Sequence, residues 1–346
     1  MRNIDDILGG FDYKFPQGLI AQKPASPRDG SRVLVYEREG GAIFLDKFFN
    51  LPKYLPKNAV IVFNETKVIP ARLILKKETG GKAVVIFIER EGDLLKVMSD
   101  RKLNVGLKLT LKDGVLFEVT DQRENFYLLR PSFLISKLGA VLNKYGITPI
   151  PPYIKNSPLS ESELRQKYQT VFARTAGSIA APTASLHFTK RLIEKIKRVG
   201  VDIKFVTLHV NLGTFATLKP EHLEKGRLHE EFYEIDAASA RFLNAAKSKG
   251  RPIIAVGTTV ARTLESAAAA SPGKLTKLTG TTDLFVREGY EFKFADQLIT
   301  NFHVPRSSLM MLVSALVSRK KLLELYGQAI SKKFRLFSFG DGMYIK

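Results

Sequence analysis

The sequence contains no cysteine and no tryptophan. The lack of cysteine excludes disulfides, thiolate metal sites and a cysteine nucleophile. The lack of tryptophan leaves any aromatic stacking to the 23 phenylalanines and 11 tyrosines. No run of about 20 apolar residues is present, and no basic stretch followed by an apolar run opens the chain. We therefore expect no membrane span, no secretion signal and a cytoplasmic location.

Acidic residues are scarce relative to basic ones. The chain has 54 Lys and Arg against 34 Asp and Glu, for a formal net charge of +20. Residues 150–346 carry 30 basic and 17 acidic side chains, so this part contributes +13 of the excess. One interpretation is solubility, or an organism that favours lysine. The other is a polyanionic partner, because neutralising phosphates drives affinity for nucleic acids.

The first half of the chain contains a stretch of β-type sequence. At 346 residues the chain is long enough for two domains. Apolar runs at residues 32–36 and 59–63 predict two strands. Short β-type runs then recur with glycine or charged turns between them, which is typical of a small antiparallel barrel or sandwich. These runs are residues 71–75, 83–89, 94–98, 107–111, 115–119 and 126–129.

After residue 160 the pattern changes to alternating helices and strands. Thr189, Asp236 and Ser307 are predicted N-caps of helices that end near residues 198, 248 and 317. Strands are predicted at residues 201–210, 252–256, 294–300 and 334–339. We therefore expect an α+β or mixed α/β catalytic domain from residues 1–68 plus 150–346, with an inserted antiparallel β-barrel-like domain from residues 69–149.

Four of the five histidines lie in short segments rich in Thr, Gly, Pro, Ser and Phe. His187, His209, His229 and His303 belong to residues 181–189, 207–215, 227–234 and 300–308. Turns on a rigid scaffold display reactive groups, and histidine changes charge near neutral pH. This placement indicates an enzyme with its site in the C-terminal half. His222 lies in a polar, helix-like stretch, and we expect it to face solvent.

The segment that begins at Gly257 predicts a strand, a turn and then a helix. Free backbone N–H groups and the hydroxyls of Thr258 and Thr259 at a positive helix end suit an anion or a ribose. Plain N-capping by either threonine is the alternative interpretation. The flanking residues of a phosphate loop are missing. A Gly-x-Gly-x-x-Gly motif is also absent, which argues against a typical Rossmann methyltransferase or dehydrogenase.

Residues 229–234 place an imidazole beside carboxylates in a predicted strand. Alternation puts His229, Glu231 and Tyr233 on one face of that strand. Two interpretations of these side chains are open: they form a catalytic group, or they form a charge cluster on the surface. A metal site is less favoured, because no helical His-x-x-x-His spacing occurs.

Asn301 and His303 follow a buried strand and are expected to share one face at its end. That end is the usual ligand side of an α/β sheet. A structural helix cap is the alternative role for Ser307. Basic side chains are also frequent in residues 190–198 and 319–321. Two interpretations are open for these segments, a solvated helix face and a contact with nucleic acid. Together with the charge of the C-terminal half, these segments favour contact with RNA or DNA.

Taken together, these segments resemble the S-adenosylmethionine:tRNA ribosyltransferase-isomerase family of queuosine biosynthesis. The resemblance extends over essentially the whole chain. The segments that carry it are residues 19–22, 28–32, 63–73, 149–153, 168–172, 180–189, 256–266, 282–285, 298–307 and 337–341. The departures from the family pattern are Ser185, Asn211, Leu212, Glu230, Val260 and Ala261.

The resemblance implies an unusual use of S-adenosylmethionine. Its ribosyl part would be transferred and isomerised to the aminomethyl group of 7-aminomethyl-7-deazaguanine at the tRNA wobble position. Epoxyqueuosine-tRNA, adenine and methionine would result. S-adenosylmethionine is then a co-substrate, and no metal or permanently bound cofactor is implied. The implied partner is a tRNA anticodon arm, which the protein would bind as a monomer. A non-catalytic basic RNA-binding protein is the alternative, and a methyltransferase is a third.

This chemistry needs several proton transfers. A base must remove a proton from the methylene next to the sulfonium, and an acid must assist adenine as it leaves. The RNA amine must also lose a proton when it attacks. Our hypothesis is that the histidines at 187, 209, 229 and 303 supply these steps, with Glu231 or Asp283 orienting or accepting. The matching segments predict further side chains in substrate binding: Asn64, Arg72, Thr183, Thr258, Thr259, Arg262, Asn301 and Arg306.

Overall fold

The structure is a computed structural model, and it describes residues 4–211 and 218–346. The family departure at Leu212 and the end of the His209 segment, residues 212–215, lie outside the described residues. None of the helices in the described ranges is long and apolar enough to cross a membrane.

Side-chain caps define where several helices begin. The hydroxyl of Thr189 and the carboxylate of Asp236 accept backbone N–H groups in the first turn of their helices, as does the hydroxyl of Ser307. The three predicted N-caps are therefore confirmed, and each contributes about 1 kcal/mol. The helices of the described residues are α1 (Ile4–Gly9), α2 (Leu138–Tyr145), α3 (Glu161–Lys167), α4 (Lys190–Arg198), α5 (Pro220–Lys225), α6 (Ala237–Ser248), α7 (Thr258–Ala267), α8 (Ser308–Val317) and α9 (Arg319–Ser331).

The strands of the described residues fall into three sheets. They are β1 (Arg32–Tyr36), β2 (Ile43–Lys47), β3 (Val60–Asn64), β4 (Thr66–Val68), β5 (Arg72–Lys77), β6 (Lys82–Glu91), β7 (Leu94–Ser99), β8 (Lys108–Thr110), β9 (Leu116–Arg123), β10 (Phe126–Pro131), β11 (Thr175–Ser178), β12 (Asp202–Leu208), β13 (Arg227–Glu234), β14 (Ile253–Val256), β15 (Thr279–Leu284), β16 (Gln297–Asn301) and β17 (Gly342–Ile345).

The largest sheet has the order β15-β13-β12-β3-β14-β16-β17-β1-β2. Its four central strands, β12, β3, β14 and β16, run parallel to one another. Their carboxyl ends therefore lie at the same edge of the sheet. β17 runs antiparallel to β16, with Gly342 opposite Asn301, so the loop before β17 lies at this edge as well.

Both faces of the central strands are covered, as expected for parallel strands. All five residues of β3 are buried. Val60 and Val62 pack in the core beneath α6, α7, α8 and α9, whereas Ile61 and Phe63 pack on the opposite side with α4. A continuous apolar run is the pattern that such a strand requires, which explains why it was readable from the sequence.

The six predicted β-type runs form a closed barrel with the order β10-β7-β6-β5-β8-β9. Neighbouring strands pair antiparallel. The barrel has its own apolar core, which includes Leu73, Val85 and Val119. The predicted fold class, a mixed α/β domain with a small antiparallel barrel, is confirmed. The limits of the insertion, residues 69–149, remain a proposal.

Two predictions are wrong for identifiable reasons. Residues 334–339 form a turn instead of a strand, and Phe337 has a φ of 68°. The Asp341 carboxylate holds this turn by accepting the backbone N–H groups of Arg335 (2.9 Å) and Arg32 (3.0 Å). His222 is buried and not solvent-facing, because α5 packs on β13 and the His222 ring meets the His229 ring with centroids 4.8 Å apart. Its Nδ1 also accepts the Lys219 N–H at 2.9 Å.

Candidate active site

A cavity of about 450 Å³ lies at the carboxyl edge of the central parallel strands. Residues that follow β14 and β16 form one side of it, and a 3-10 turn, Thr183–His187, contributes Thr183 and Ala184. Helix α1 contributes Ile4, Asp5 and Leu8. Its volume falls within the roughly 300–1,000 Å³ range of small-molecule sites. The cavity therefore occupies the position where α/β sheets bind ligands.

The turn after β14 directs the start of α7 to the cavity. Gly257 is the N-cap of α7 and has a φ of 94°, a conformation that favours glycine. Because Gly257 occupies the N-cap position and no side chain caps the helix, neither Thr258 nor Thr259 is the cap, and the capping interpretation is wrong. Both threonines line the cavity. The partial positive charge of the helix start faces a space that a ligand can fill.

The segment after β16 brings an amide and an imidazole to the same cavity. Asn301 and His303 both line it. The Asn301 Nδ2 donates to the Phe337 carbonyl at 2.9 Å, which fixes the amide against the loop before β17. The His303 Nε2 lies 3.0 Å from the Thr300 hydroxyl. Burial lowers the pKa of His303 to about 3, so the ring is neutral at physiological pH.

His187 does not line the cavity and instead borders a separate small space together with Arg28 and Ser338. It is 4% exposed, and its ring stacks on Phe48 with centroids 4.1 Å apart. The Ser31 hydroxyl donates to the Arg28 carbonyl at 2.8 Å and lies 2.8 Å from the His187 Nδ1. Because the only hydrogen of the Ser31 hydroxyl is donated to Arg28, the Ser31 oxygen must accept a hydrogen bond from the His187 Nδ1–H. The lone pair of the neutral ring is therefore on Nε2. Burial, aided by the charges of Arg335 and Arg28, lowers the pKa of His187 to about 3.

His209 lies just beyond the end of β12 and is held by two neighbours. Its Nδ1 is 2.8 Å from the Thr66 hydroxyl. Gly177 lies under the ring so closely that a Cβ there would come within 2.8 Å of it. Burial lowers the pKa of His209, and the nearby charge of Glu234 opposes this effect. Val210, the next residue, lines the cavity, so His209 belongs to the adjoining side of the strand end.

A smaller space, which we call the His229 hollow, adjoins the cavity. It is lined by His229, Glu231 and Arg262, and it shares Ser308 and Leu309 with the cavity. The Arg262 guanidinium binds the Glu231 carboxylate directly, and both side chains are almost fully buried. Arg262 also donates to the carbonyl of Leu284 at 3.0 Å. This ion pair fixes β13 and β15 against α7 beside the hollow.

Three predicted site residues lie elsewhere. Asn64 is fully buried, and its Nδ2 donates to the Leu208 carbonyl at 2.9 Å, so it joins the ends of β3 and β12. Arg72 begins the barrel strand β5. Asp283 pairs at 3.5 Å with Arg227 in a partly exposed position. Within the described ranges, none of the three lines the cavity or the His229 hollow.

The remaining predicted residues line the cavity or the His229 hollow or lie next to them. The structure also shows side chains at the site that were not predicted from the sequence. Asp5 lines the cavity, and the hydroxyls of Ser31, Thr66 and Thr300 each contact a histidine. Ser31 and Thr66 lie within segments that carry the family resemblance, which is a signal that was available. For Asp5, the available signal was the i, i+4 spacing of Ile4 and Leu8, which indicates a helix with one apolar face.

Comparisons with known proteins agree with this architecture. The sequence profile of a family described as queuosine biosynthesis protein matches residues 8–345. The S-adenosylmethionine:tRNA ribosyltransferase-isomerase of Carboxydothermus hydrogenoformans is 46% identical over 98% of this chain and 99% of that protein. The protein of the same name from Moorella thermoacetica is 45% identical over 97% of this chain and 98% of that protein.

A solved structure is also similar. The crystal structure of S-adenosylmethionine tRNA ribosyltransferase from Thermotoga maritima matches with a TM-score of 0.56 and 31% identity. The match covers 97% of this chain and 100% of that chain. The profile match and these identities show that this chain belongs to the queuosine biosynthesis protein family.

Proposed function

We propose that this protein transfers and isomerises the ribosyl part of S-adenosylmethionine to the aminomethyl group of a 7-deazaguanine at the tRNA wobble position. Adenine and methionine are released, and epoxyqueuosine-tRNA is the RNA product. The observation that carries the proposal is the cavity lined by the Gly257–Thr259 turn, Asn301 and His303 in a chain of this family. The protein would act as a monomer in the cytoplasm, where tRNA is found.

The cavity suits the nucleoside part of S-adenosylmethionine. Backbone N–H groups at the start of α7 and the hydroxyls of Thr258 and Thr259 can donate to ribose oxygens. The Asn301 Nδ2 is committed to the Phe337 carbonyl, whereas its Oδ1 has no hydrogen-bond partner among the described residues and can accept from the amino group of a base. Phe302 and Phe337 also line the cavity and offer ring faces toward the sulfonium.

The four histidines differ in what they can do. His303 is neutral, so it presents an uncharged ring to a cationic substrate and avoids repelling the sulfonium. We assign it hydrogen bonding to the reacting nucleoside. His187 is buried and stacked, and we assign it a positioning role behind the cavity.

The remaining two histidines are our choices for moving protons. His229 lies in the hollow that shares Ser308 and Leu309 with the cavity, and Glu231 is beside it. Since Glu231 is bound by Arg262, we assign it an orienting role instead of proton acceptance. His209 is held by Thr66 and comes directly before the cavity residue Val210, and it is our second choice. One base removes the proton next to the sulfonium, and the other accepts the proton of the attacking amine.

The tRNA contacts are proposed from charge. The basic side chains of α4, Lys190, Arg191, Lys195, Lys197 and Arg198, are all exposed. Wobble bases lie in a single-stranded loop, where an unstacked base can be splayed into a pocket. We propose that the barrel and the basic C-terminal half hold the anticodon arm while the wobble base enters the cavity.

A single assay tests this function. The protein is incubated with S-adenosylmethionine and tRNA that carries the aminomethyl base, and the small-molecule products are separated. Free adenine and methionine, formed in equal amounts with modified tRNA, are the expected result. S-adenosylhomocysteine would instead indicate a methyltransferase, and tRNA binding without turnover would indicate a non-catalytic RNA-binding protein.

Replacing the histidines by alanine tests the assigned roles. His229→Ala and His209→Ala should each slow adenine release roughly a hundredfold or more, the usual value of one catalytic proton transfer. His222→Gln is the control for His209→Ala, because it alters the fifth histidine, which does not line the cavity or the hollow within the described ranges. It does not serve as a control for His229→Ala, since the His222 and His229 rings meet with centroids 4.8 Å apart. Near-normal release by the variants at His187, His209, His229 and His303 would remove the acid–base part of the proposal.

A further inference from the structure

Two oppositely charged side chains face the cavity at one end. Of the lining residues in the described ranges, only Asp5 and Arg306 carry a full charge at neutral pH. The Arg306 Nη2 donates to the Asp5 Oδ1 at 2.6 Å. The side chain of Arg306 is 41% exposed and that of Asp5 is 71% exposed. The cavity therefore has one end with a paired positive and negative charge.

Arg306 is held there in an unusual backbone conformation. Its φ is 57°, in the left-handed region that residues with a Cβ rarely adopt. Its backbone N–H donates to the Phe11 carbonyl at 3.0 Å, and Ser307 caps α8 immediately after it. Strained residues of this kind persist where the surroundings fix them, and they are frequent in ligand clamps. The conformation fixes the backbone from which the Arg306 side chain extends toward Asp5.

Helix α1 supplies the other charge together with apolar wall. Ile4 and Leu8 are one helical turn apart and line the cavity, and Asp5 lies next to Ile4. The Asp5–Arg306 contact joins this helix to the turn between β16 and α8. The first helix is thus part of the wall and brings a carboxylate to it.

The chemistry of S-adenosylmethionine matches this charge pair. Its methionine end carries an ammonium and a carboxylate on the same carbon, so it is a zwitterion at neutral pH. We infer that Arg306 binds the carboxylate and Asp5 binds the ammonium of this amino-acid end. The adenosine end then reaches the Gly257–Thr259 turn and Asn301. This inference rests on the proposed function, because it takes S-adenosylmethionine as the substrate.

The arrangement makes a specificity prediction. A guanidinium binds a carboxylate with two parallel charge-assisted hydrogen bonds. Decarboxylated S-adenosylmethionine keeps the adenosine, the sulfonium and the ammonium but lacks that carboxylate. The protein should bind it roughly 10- to 100-fold more weakly than S-adenosylmethionine.

The experiment measures the dissociation constants of both compounds by titration calorimetry, using the full-length protein and three variants. Arg306→Gln should weaken S-adenosylmethionine binding roughly 10- to 100-fold and leave the decarboxylated compound almost unaffected. Asp5→Asn should weaken both compounds, because both retain the ammonium. Asp6→Asn is the matched control: it removes the same charge from the same helix at an exposed residue, and it should bind both compounds normally.

The outcomes separate this inference from the proposed function. Wild-type protein that prefers S-adenosylmethionine, together with loss of that preference in Arg306→Gln, supports the inference. Equal binding of the two compounds by wild-type protein overturns it without any variant, so the test does not depend on the folding of Arg306→Gln. Equal weakening of both compounds in Arg306→Gln overturns it as well. If wild-type protein neither binds S-adenosylmethionine nor releases adenine, the proposed function fails too.

Discussion

The buried His187 should make the fold sensitive to acid. Its pKa is 6.5 in an unfolded chain and about 3 in the folded protein, because burial disfavours the charged ring. Between these values only the unfolded state takes up the proton, so the free energy of unfolding falls as the pH falls below 6.5. Each pH unit costs about 1.4 kcal/mol, and His187 alone should therefore remove about 2 kcal/mol between pH 7 and pH 5. That is a sizeable part of a typical stability of 5–15 kcal/mol.

Two measurements check this prediction. Urea unfolding, followed by circular dichroism because the chain has no tryptophan, should show that His187→Gln loses about 2 kcal/mol less than wild-type protein between pH 7 and pH 5. The two proteins should change in parallel between pH 8 and pH 7. With only five histidines, ¹³C-labelled spectra can follow each ring. A His187 signal that titrates near pH 6.5, or identical acid sensitivity of the two proteins, would refute the reasoning.

Three further predictions concern the ion pair, His209 and the RNA. Arg262→Met should cost about 3–5 kcal/mol in urea unfolding because it removes the charge partner of the buried Glu231 carboxylate, and the double variant with Glu231→Met should recover most of that loss; additive losses would contradict this. Thr66→Val should slow adenine release roughly tenfold by freeing His209, while Thr66→Ser should not. The affinity for tRNA should fall roughly a thousandfold or more between 50 and 200 mM salt, and a flat profile would argue against a phosphate-binding surface.

Local signals explain why much of the fold could be predicted. The residue types at Thr189, Asp236 and Ser307 satisfy free N–H groups at the start of a helix, whatever the rest of the chain does. Alternating short runs separated by glycine turns predicted the barrel for a similar reason, because the turn residues themselves limit strand length. In these cases the information lies within a few residues of the feature.

Features that depend on distant contacts were missed. Residues 334–339 have the apolar content of a strand, but the Asp341 carboxylate binds two backbone N–H groups and turns the chain. His222 sits among polar residues, yet α5 and β13 bury it. Its ring meets His229 edge-on, with centroids 4.8 Å apart. Neither effect has a local pattern.

The candidate site shows the same division. The cavity residues Thr258, Asn301 and His303 follow buried strands, and parallel strand ends converge at one edge, so their meeting was predictable. Asn64 lies at the end of such a strand too, but its amide donates to the Leu208 carbonyl and to the hydroxyl of Thr259, so it lies behind a residue of the cavity wall and does not line the cavity itself. Asp5 reaches the site through the packing of α1. The spacing of Ile4 and Leu8 indicates a helix with one apolar face, but it does not indicate where that face packs.

The strand order of the large sheet has a consequence for how the protein is made. β3 lies at its centre, but its neighbours β12 and β14 come much later in the chain. At roughly 5–20 residues per second, a ribosome needs roughly 10 to 40 s to proceed from β3 to β14. The six barrel strands lie between Arg72 and Pro131, so all of them are made before β12 and β14, and we expect them to pair first. A nascent chain should therefore display a finished barrel next to an unpaired apolar strand, which is the type of segment that chaperones bind.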